Sequence, residues 1–256
     1  MPTKSANQIP QIVKKALDAQ KERERSIEAY PELVVETIIF HRLHFGMTPT
    51  NALKSFHLLL KEFVDWNEIR VSTIQEIRDQ LKSGLNSLDT AVFIKDFLEL
   101  VHRVRQCVDL EFLSELNLTE VRRFLKQVRG IDHSTIDLVL YKYKEHPVFP
   151  LSAMMESIVQ HAGLVKAEDT RDRKAKTIHE LVDTSTVLPF HHFLIDLERE
   201  ISASLGDDMP TSDQISDLLK ANKAALRSAC SGFVKKGKGS SDAKAKTTTK
   251  KAKTRN

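Results

Sequence analysis

Ten histidines and 35 carboxylates supply the side chains from which a metal or catalytic site could be built. His41 and His44 have the i, i+3 spacing that places two imidazoles on one helical face, but no evident third ligand accompanies them. His191 and His192 are adjacent, so on a helix their side chains point about 100° apart and rarely share one ion. The histidine pattern therefore predicts no metal site.

A glycine turn between two amphipathic segments is the other candidate site. Residues 118–165 read LTEVRRFLKQVRGIDHSTIDLVLYKYKEHPVFPLSAMMESIVQHAGLV, which predicts a helix, a tight turn at Gly130, a second helix, a short loop and a third helix. Backbone N–H groups at such a turn and the positive end of the second helix can bind an anion such as a phosphate.

The segment resembles the helix-hairpin-helix and catalytic loop of the endonuclease III family of DNA glycosylases and lyases. The family turn has the form LPGVGRKTA and its loop the form VFVVDTHVRRV, where this chain has VRGIDHSTI and VFPLSAMMESI. The resemblance implies that Ser134 stands at the lysine nucleophile and Ser152 at the essential aspartate. Serine offers neither an imine-forming amine nor a charge that stabilises an oxocarbenium-like centre. We therefore expect the scaffold without the usual chemistry.

Nearby carboxylates could replace the missing aspartate. Asp137 lies about one helical turn after Ser134, and Glu156 lies one turn after Ser152, while Lys142 is further along the second hairpin helix. Solvated charges on a helix surface are the alternative interpretation of these residues. Glu156 is the first candidate to test.

The resemblance also implies which residues contact DNA. Asp132 replaces the second glycine of the usual turn, and this leaves two alternatives: a weakened or metal-assisted phosphate contact, or a hairpin kept for packing with Asp132 capping the second helix. Leu43 could fill the gap left by a flipped base and Arg42 could contact a phosphate, although core packing and surface charge explain both residues equally well. The expected hairpin contacts are Arg129, Gly130, Ile131, Asp132, His133 and Ser134.

A second match lies far from the hairpin. Residues 184–202 read TSTVLPFHHFLIDLEREIS and resemble the family form FxxxCHHWLILHGRYTC, after which many members bind an iron–sulfur cluster through four cysteines. This chain has Ser202 at the first cluster cysteine, and its two cysteines, Cys107 and Cys230, are too few for a cluster or a disulfide framework. We therefore expect no iron–sulfur cluster and no other cofactor.

Composition and periodicity predict an all-α protein. Gly and Pro number 8 each, aromatic residues make up 6%, and apolar residues recur at three and four spacing. The expected helices include 49–64, 72–82, 87–105 and 109–116. The resemblance, which extends over residues 31–202, implies a two-domain helical fold with a barrel domain from 32–146, containing the hairpin, and a second domain from 7–31 together with 147–230.

A basic tail follows these domains. Residues 235–256 contain nine Lys or Arg and one acidic residue, a net charge of +8, which leaves about −4 for the rest of a chain whose total is +4. The tail lacks apolar clusters, so we expect it to be disordered and to bind nucleic acid through released counterions, with a merely solubilising tail as the alternative. The tail residues expected to contact DNA are Lys235, Lys236, Lys238, Lys250 and Lys251.

These patterns predict a DNA-binding, endonuclease III-like protein, related to base-excision repair glycosylases, that lacks the usual glycosylase and lyase chemistry. One alternative is a divergent active glycosylase or abasic-site lyase that uses a displaced carboxylate, and another is a protein-interaction module, because the globular part is net acidic. No signal-peptide core or run of eighteen apolar residues is present, so an intracellular protein without a membrane or small-molecule partner is expected. The lesion, any protein partner and the oligomeric state stay open.

Overall fold

The chain folds into α-helices, which confirms the predicted all-α class. The computed structural model describes residues 9–25, 31–82, 87–205 and 212–235. Within these ranges no β-strand occurs, and one isolated bridge pairs Val182 with Val234. The helices up to the end of the hairpin are α1 (Ile9–Arg25), α2 (Val34–Gly46), α3 (Pro49–Glu62), α4 (Trp66–Val71), α5 (Ile74–Asp79), α6 (Ser87–Arg105), α7 (Leu118–Leu125) and α8 (His133–Tyr143).

The helices after the hairpin complete the described part of the chain. No helix there is long and apolar enough to cross a membrane. A single 3₁₀ turn, Glu111–Ser114, stands where a longer helix over 109–116 is expected from the sequence. The later helices are α9 (Ala153–His161), α10 (Arg171–Leu181), α11 (Thr184–Leu205), α12 (Ser212–Ala221) and α13 (Lys223–Ser231).

Helix α2 lies at the centre of the hydrophobic core. Ile38, Ile39 and Leu43 are fully buried, and the helix packs against α3, α6, α8 and α11. Burial of this apolar face stabilises the fold by roughly 1.5–3 kcal/mol for each large side chain. Leu43 is thus part of the core, which is one of the two interpretations that the sequence allowed, and its burial does not favour a role as a wedge between DNA bases.

Polar caps set where the helices begin. The Thr48 hydroxyl accepts a hydrogen bond from the Asn51 N–H, and Pro49 occupies the first turn of α3, as the sequence predicts. Asn117 and Glu120 form a capping box at the start of α7, which satisfies backbone N–H groups that have no partner within the helix. The first hairpin helix therefore begins at a position that its capping box defines.

The packing divides the helices into two groups. Helices α4 and α5 pack on α6, and α7 packs on α8, whereas α1 lies along α11, and α9 contacts α11, α12 and α13. On this packing we propose the domain division expected from the resemblance, with 32–146 as one domain and 7–31 plus 147–230 as the other. Helices α2, α8 and α11 meet between the two groups.

The basic tail lies largely outside the described residues. Lys236, Lys238, Lys250 and Lys251 fall there, and so does the expected disorder of the tail beyond residue 235. Lys235 is described: its backbone N–H donates to the Leu181 carbonyl at 2.9 Å, and its ammonium lies 3.0 Å from the Glu180 carbonyl oxygen. The tail therefore leaves the fold beside the end of α10.

Two leucines on α6 offer a matched test of the core. Leu98 is fully buried whereas Leu88 is 51% exposed. We expect Leu98→Ala to lower the free energy of unfolding by about 2–5 kcal/mol, because the mutation leaves a cavity among packed neighbours. Leu88→Ala should change the free energy of unfolding by less than about 0.5 kcal/mol. Urea denaturation followed by circular dichroism measures both, and equal effects would contradict the assigned burial of α6.

Candidate nucleic-acid interface and active site

The hairpin turn requires glycine for its backbone conformation. Gly130 has φ +77°, in the left-handed region that L-residues rarely adopt. A Cβ built at this position would meet only the side chain of Phe93, at an ordinary 3.9 Å, so space is not the constraint. The turn therefore reverses the chain between α7 and α8 with Gly130 exposed at its tip.

Asp132 caps the second hairpin helix. Its Oδ1 accepts hydrogen bonds from the backbone N–H groups of Ser134 and Thr135, at 2.7 and 3.1 Å. The hydroxyl of Ser134 donates to Oδ1 at 2.5 Å and the hydroxyl of Thr135 donates to Oδ2 at 2.6 Å. Of the two alternatives considered from the sequence, capping is the one observed, and the carboxylate faces the helix that it caps.

A buried hydrogen-bonded chain extends from this cap. Thr135 Oγ1 lies 2.9 Å from Nδ1 of His41, and Nε2 of His41 lies 2.9 Å from Nε2 of His191. Because the Thr135 hydroxyl gives its only proton to Asp132, Nδ1 of His41 carries the hydrogen that Thr135 accepts. The chain thus joins α8, α2 and α11 through side chains that the sequence suggested only as members of separate histidine pairs.

The outer face of the hairpin is basic. Arg123, Lys126 and Arg129 are exposed, and none forms an ion pair with another described residue. His133 is also exposed, whereas Ile131 is partly buried and packs against the core. Of the residues expected to contact DNA, Arg129, Gly130 and His133 therefore lie on the surface.

Ser152 lies at the start of α9 and contacts an unpredicted carboxylate. Its hydroxyl oxygen caps the helix by accepting from the Met155 N–H at 3.1 Å, and its proton is donated to Oε2 of Glu198 at 2.5 Å. Glu198 is partly buried and belongs to α11. The position that the resemblance assigns to the family aspartate thus carries a hydroxyl, which donates to a glutamate of another helix.

A cavity opens beside Glu198, and we call it the site cavity. Its volume is about 180 Å³, and the guanidinium of Arg42 reaches it from α2. That guanidinium lies 5.0 Å from the centroid of the Phe93 ring, and its buried Nε has no hydrogen-bond partner among the described residues. The lining residues of the site cavity are Arg42, Phe45, Gly46, Thr90, Glu198, Arg199 and Ser202.

The two acidic groups at this site are shifted in opposite directions. Burial raises the pKa of Glu198 to about 7, with the negative charge of Asp132 adding to the shift while the hydrogen bond from Ser152 opposes it. Burial also acts to raise the pKa of Asp132, but His41 and the hydrogen bonds from Ser134 and Thr135 bring it below its usual range. Near neutral pH, Asp132 is ionised while Glu198 exchanges its proton.

Asp137, expected as a substitute carboxylate, instead holds the loop. The side chain is fully buried and pairs with Arg122 at 3.0 Å and with Arg171 at 2.5 Å. The same nitrogen of Arg171 donates to the carbonyl oxygen of Leu151 at 2.7 Å, immediately before Ser152. Two guanidinium groups therefore engage both oxygens of Asp137, and the carboxylate fixes the loop that carries Ser152.

The other expected substitutes are also engaged elsewhere. Glu156 accepts from the Lys174 ammonium at 2.7 Å, and Lys174 is almost fully buried. The ammonium of Lys142 bonds to the Pro31 carbonyl oxygen, and burial lowers the pKa of this lysine to about 8. The backbone N–H of Glu156 donates to the Ser152 carbonyl at 2.9 Å, while its carboxylate pairs with Lys174. The role of Glu156 as the displaced group stays a prediction.

Metal ligands do not converge in the described part of the chain, where no group of three or more His, Cys, Asp and Glu side chains could hold an ion. Cys230 is buried near the end of α13 and Cys107 is exposed after α6. Two separate thiols do not fit a cluster that needs four thiolates. The absence of an iron–sulfur cluster stays a prediction.

Sequence reasoning missed Glu198, although a signal was present. In the family form HHWLILHGR, glycine stands two residues after the isoleucine-leucine pair, and the corresponding position in HHFLIDLER is Glu198. Glu198 is one of two acidic residues, with Asp196, that this segment has where the quoted family form has none. Ser152 and Glu198 are in contact in the structure although they lie 46 residues apart in sequence.

Comparisons with known proteins confirm the resemblance. No protein-family model matches the chain. The chain is 26% identical over 152 residues to a protein of Arabidopsis thaliana provisionally named as a DNA glycosylase, covering 59% of this chain and 51% of that protein. It is 30% identical over 103 residues to the transcriptional activator DEMETER, covering 40% of this chain and 5% of DEMETER, and 24% identical over 102 residues to the DNA glycosylase/AP lyase ROS1, covering 40% and 7%, both from the same plant.

The chain thus spans about half the length of the first relative and a small fraction of the other two. Two of these three relatives are named as a DNA glycosylase or a DNA glycosylase/AP lyase, and together with the helical fold they support the resemblance to the endonuclease III-like superfamily.

The raised pKa of Glu198 leads to a testable prediction about the stability of the fold. Because the folded protein holds the Glu198 proton up to about pH 7, the stability gained from protonation is fully present below the pKa of the unfolded chain, near 4.5, and is lost as pH rises through about 7. Glu198→Gln keeps the neutral form at every pH. At pH 8 we expect this variant to be about 1–3 kcal/mol more stable than the wild type, and at pH 4 the difference should vanish.

Urea denaturation at the two pH values measures the difference. Glu180→Gln, which removes an exposed carboxylate that pairs with Lys176 at 3.9 Å, is the matched control. A gain of equal size at both pH values in Glu198→Gln would contradict the assigned desolvation of this group.

Proposed function

We propose that this endonuclease III-like chain binds duplex DNA as a glycosylase-related repair protein inside the cell, and that it lacks the usual chemistry of the family. The observation that carries the proposal is the capped hairpin. A left-handed Gly130 turn leads directly into the N-terminus of α8, beside the exposed Arg129. Two relatives, which match 59% and 40% of this chain, are named as a DNA glycosylase and as a DNA glycosylase/AP lyase. These names agree with DNA as the partner.

The electrostatics of the hairpin support a phosphate contact. Arg123, Lys126 and Arg129 are exposed without ion-pair partners in the described ranges, so their charges are available to a polyanion. Asp132 does not oppose that contact strongly, because its carboxylate is bound by four donors at the helix start. Neutralising phosphates with such side chains releases counterions, which gives affinity without sequence preference.

The same surface argues against the protein-interaction alternative. A scaffold that had exchanged DNA for a basic partner would carry acidic residues around Gly130. The charged residues exposed there, Lys126 and Arg129, are instead basic, although the globular part as a whole is net acidic. We therefore favour nucleic acid as the partner of this face.

Lyase chemistry requires an amine at the site, and the residues present support its loss. Ser134 is fully buried, with its hydroxyl proton given to Asp132. Lys142 lies two helical turns further along α8, roughly 12 Å away along the axis, and its ammonium bonds to the Pro31 carbonyl. Neither group can form an imine with an abasic sugar bound near Ser152.

DNA binding can be tested at the hairpin with a matched pair of arginine variants. We expect the full chain to shift a 25-base-pair duplex in a gel, with affinity that falls steeply as salt rises. Arg129→Ala should weaken binding roughly threefold to tenfold and lower the slope of log affinity against log salt by about 1, because one phosphate contact is lost. Arg227→Ala, which removes an exposed arginine on α13, should leave both quantities unchanged.

A second comparison separates the hairpin from the tail. Deleting residues 236–256 keeps the Lys235 backbone contact with Leu181 and removes eight basic residues. We expect this deletion to remove most of the affinity and the Arg129→Ala effect to persist in the remainder. Affinity that is undiminished by the deletion would show that the tail is not the main contact.

The missing amine predicts the outcome of a trapping experiment. Borohydride reduces the imine of a lyase on abasic DNA to a stable covalent adduct. We expect no adduct above background when the full chain is incubated with an abasic duplex, because serine replaces the lysine at position 134. A lyase of known activity is the positive control, and an adduct that maps to Lys142 would overturn this assignment.

A further inference from the structure

An apolar pocket lies beside the C-terminal half of α8, and we call it the α8 pocket. Its volume is about 420 Å³, within the roughly 300–1,000 Å³ that ligand-binding clefts occupy. Tyr143 lines the pocket and lies ten residues after His133, so roughly 15 Å of helix separates the pocket from the hairpin turn. The apolar walls include Leu33, Trp66, Val108, Leu110, Leu113 and Tyr143.

Leu33 occupies a position where helices of this chain usually begin with a polar residue. It is the N-cap of α2, where it provides no side-chain hydrogen bond, and it is 53% exposed. Helices α3, α7, α8 and α9 each begin with a side chain that accepts from a first-turn N–H group, which stabilises a helix. The leucine neither caps α2 nor belongs to the buried core, which indicates a contact outside the fold.

Carboxylates border the α8 pocket. Glu32, Asp109 and Glu111 line it and are exposed, and none of the three forms an ion pair with another described residue. Lys144 is the basic residue among the described lining residues, and its ammonium donates to the Ser114 carbonyl at 2.7 Å. Three carboxylates and one ammonium give the lining a net charge of −2.

This combination of apolar walls and acidic rim selects one kind of ligand. A polyanion such as DNA is repelled by the carboxylates, so the α8 pocket is not a continuation of the basic hairpin face. A small apolar molecule would fill the walls but leave the carboxylates without partners. An amphipathic helix satisfies both, because its apolar residues at i, i+3, i+4 and i+7 enter the pocket while lysine or arginine beside them meets the rim.

We propose that the α8 pocket binds a short, basic amphipathic helix of a partner protein. Leu33 and Trp66 contact the apolar anchors of that helix, and Glu32, Asp109 and Glu111 pair with its basic residues. This interaction is independent of DNA binding by the hairpin, because the two surfaces lie at opposite ends of α8 and carry opposite charge. The chain would thereby link a basic protein segment to DNA.

Trp66 provides a direct measurement of binding at the pocket. The chain contains one tryptophan, and this residue lines the pocket and is partly exposed. An apolar group that packs against the indole displaces water from it and shifts its fluorescence emission to shorter wavelength. A ligand without tryptophan therefore reports its own binding through the emission of the full chain.

The test uses three synthetic peptides of about 16 residues, each with leucine at i, i+3, i+4 and i+7 and without tryptophan. Their polar faces carry lysine, glutamine or glutamate. We expect the lysine peptide to shift the Trp66 emission and to bind at least about tenfold more tightly than the glutamate peptide, because like charges repel at the rim. The affinity of the lysine peptide should fall as salt rises.

A matched pair of leucine variants tests the apolar contact. Leu33 and Leu88 are 53% and 51% exposed, but only Leu33 is among the residues that line the pocket. We expect Leu33→Ser to weaken binding of the lysine peptide about tenfold, and Leu88→Ser to change it by less than about twofold. Because serine can cap α2, Leu33→Ser should unfold at an equal or higher urea concentration than the wild type. Weaker binding would then not reflect a damaged fold.

A second pair tests the acidic rim. Asp109→Asn combined with Glu111→Gln keeps the shape of both side chains and removes their charge. We expect this double variant to bind the lysine peptide about threefold to tenfold more weakly and the glutamine peptide unchanged. Asp213→Asn combined with Asp217→Asn removes two exposed carboxylates of α12 and should leave both affinities unchanged.

Equal affinity for the lysine and glutamate peptides would overturn the proposal, and so would binding that persists in Leu33→Ser. An emission that none of the peptides shifts at concentrations up to about 1 mM would overturn it as well. A shift caused by a fatty acid but by no peptide would assign the pocket to small apolar ligands instead. All pocket variants should bind the DNA duplex like the wild type, and a full chain that binds no DNA would overturn the proposed function while leaving the peptide result intact.

Discussion

The negative charge of Asp132 holds together the end of the hairpin on which the site depends. The carboxylate neutralises the positive end of α8 and accepts from two hydroxyls as well as two backbone N–H groups. By taking the proton of Thr135, it fixes the direction of the hydrogen bonds that run on to His41 and His191. Three helices are thereby tied by one buried polar chain. The raised pKa of Glu198 is due chiefly to its burial, and the charge of Asp132 adds to that shift.

A second buried charge, that of Asp137, fixes the loop that carries Ser152. Asp137 pairs with Arg171, and Arg171 also binds the carbonyl of Leu151, so the residue before Ser152 is fixed to the middle of α8. Removing one member of such a group leaves the remaining charges buried and unpaired, which is strongly destabilising. The position of Ser152 relative to α11 is therefore set by ionic contacts rather than by the loop itself.

The features that can be predicted from the sequence are those determined by residues close to one another in the chain. The bounds of α6, the proline start of α3 and the capping role of Asp132 follow from local spacing, and the structure has all three. Helix α4 spans six residues, too few for a helical period to be recognised. The contacts of Asp137 with Arg171 and of Ser152 with Glu198 join residues 34 and 46 positions apart, and no local pattern encodes them.

The hydrogen bond between Ser152 and Glu198 restricts which pairs of side chains can stand at these two positions. An aspartate at position 152 beside Glu198 would bring two carboxyl groups to within hydrogen-bond distance, where only one can readily ionise. Replacing Glu198 alone would leave a hydroxyl without its acceptor. The two positions are therefore coupled, and a substitution at one of them should have a different effect when the other is also changed.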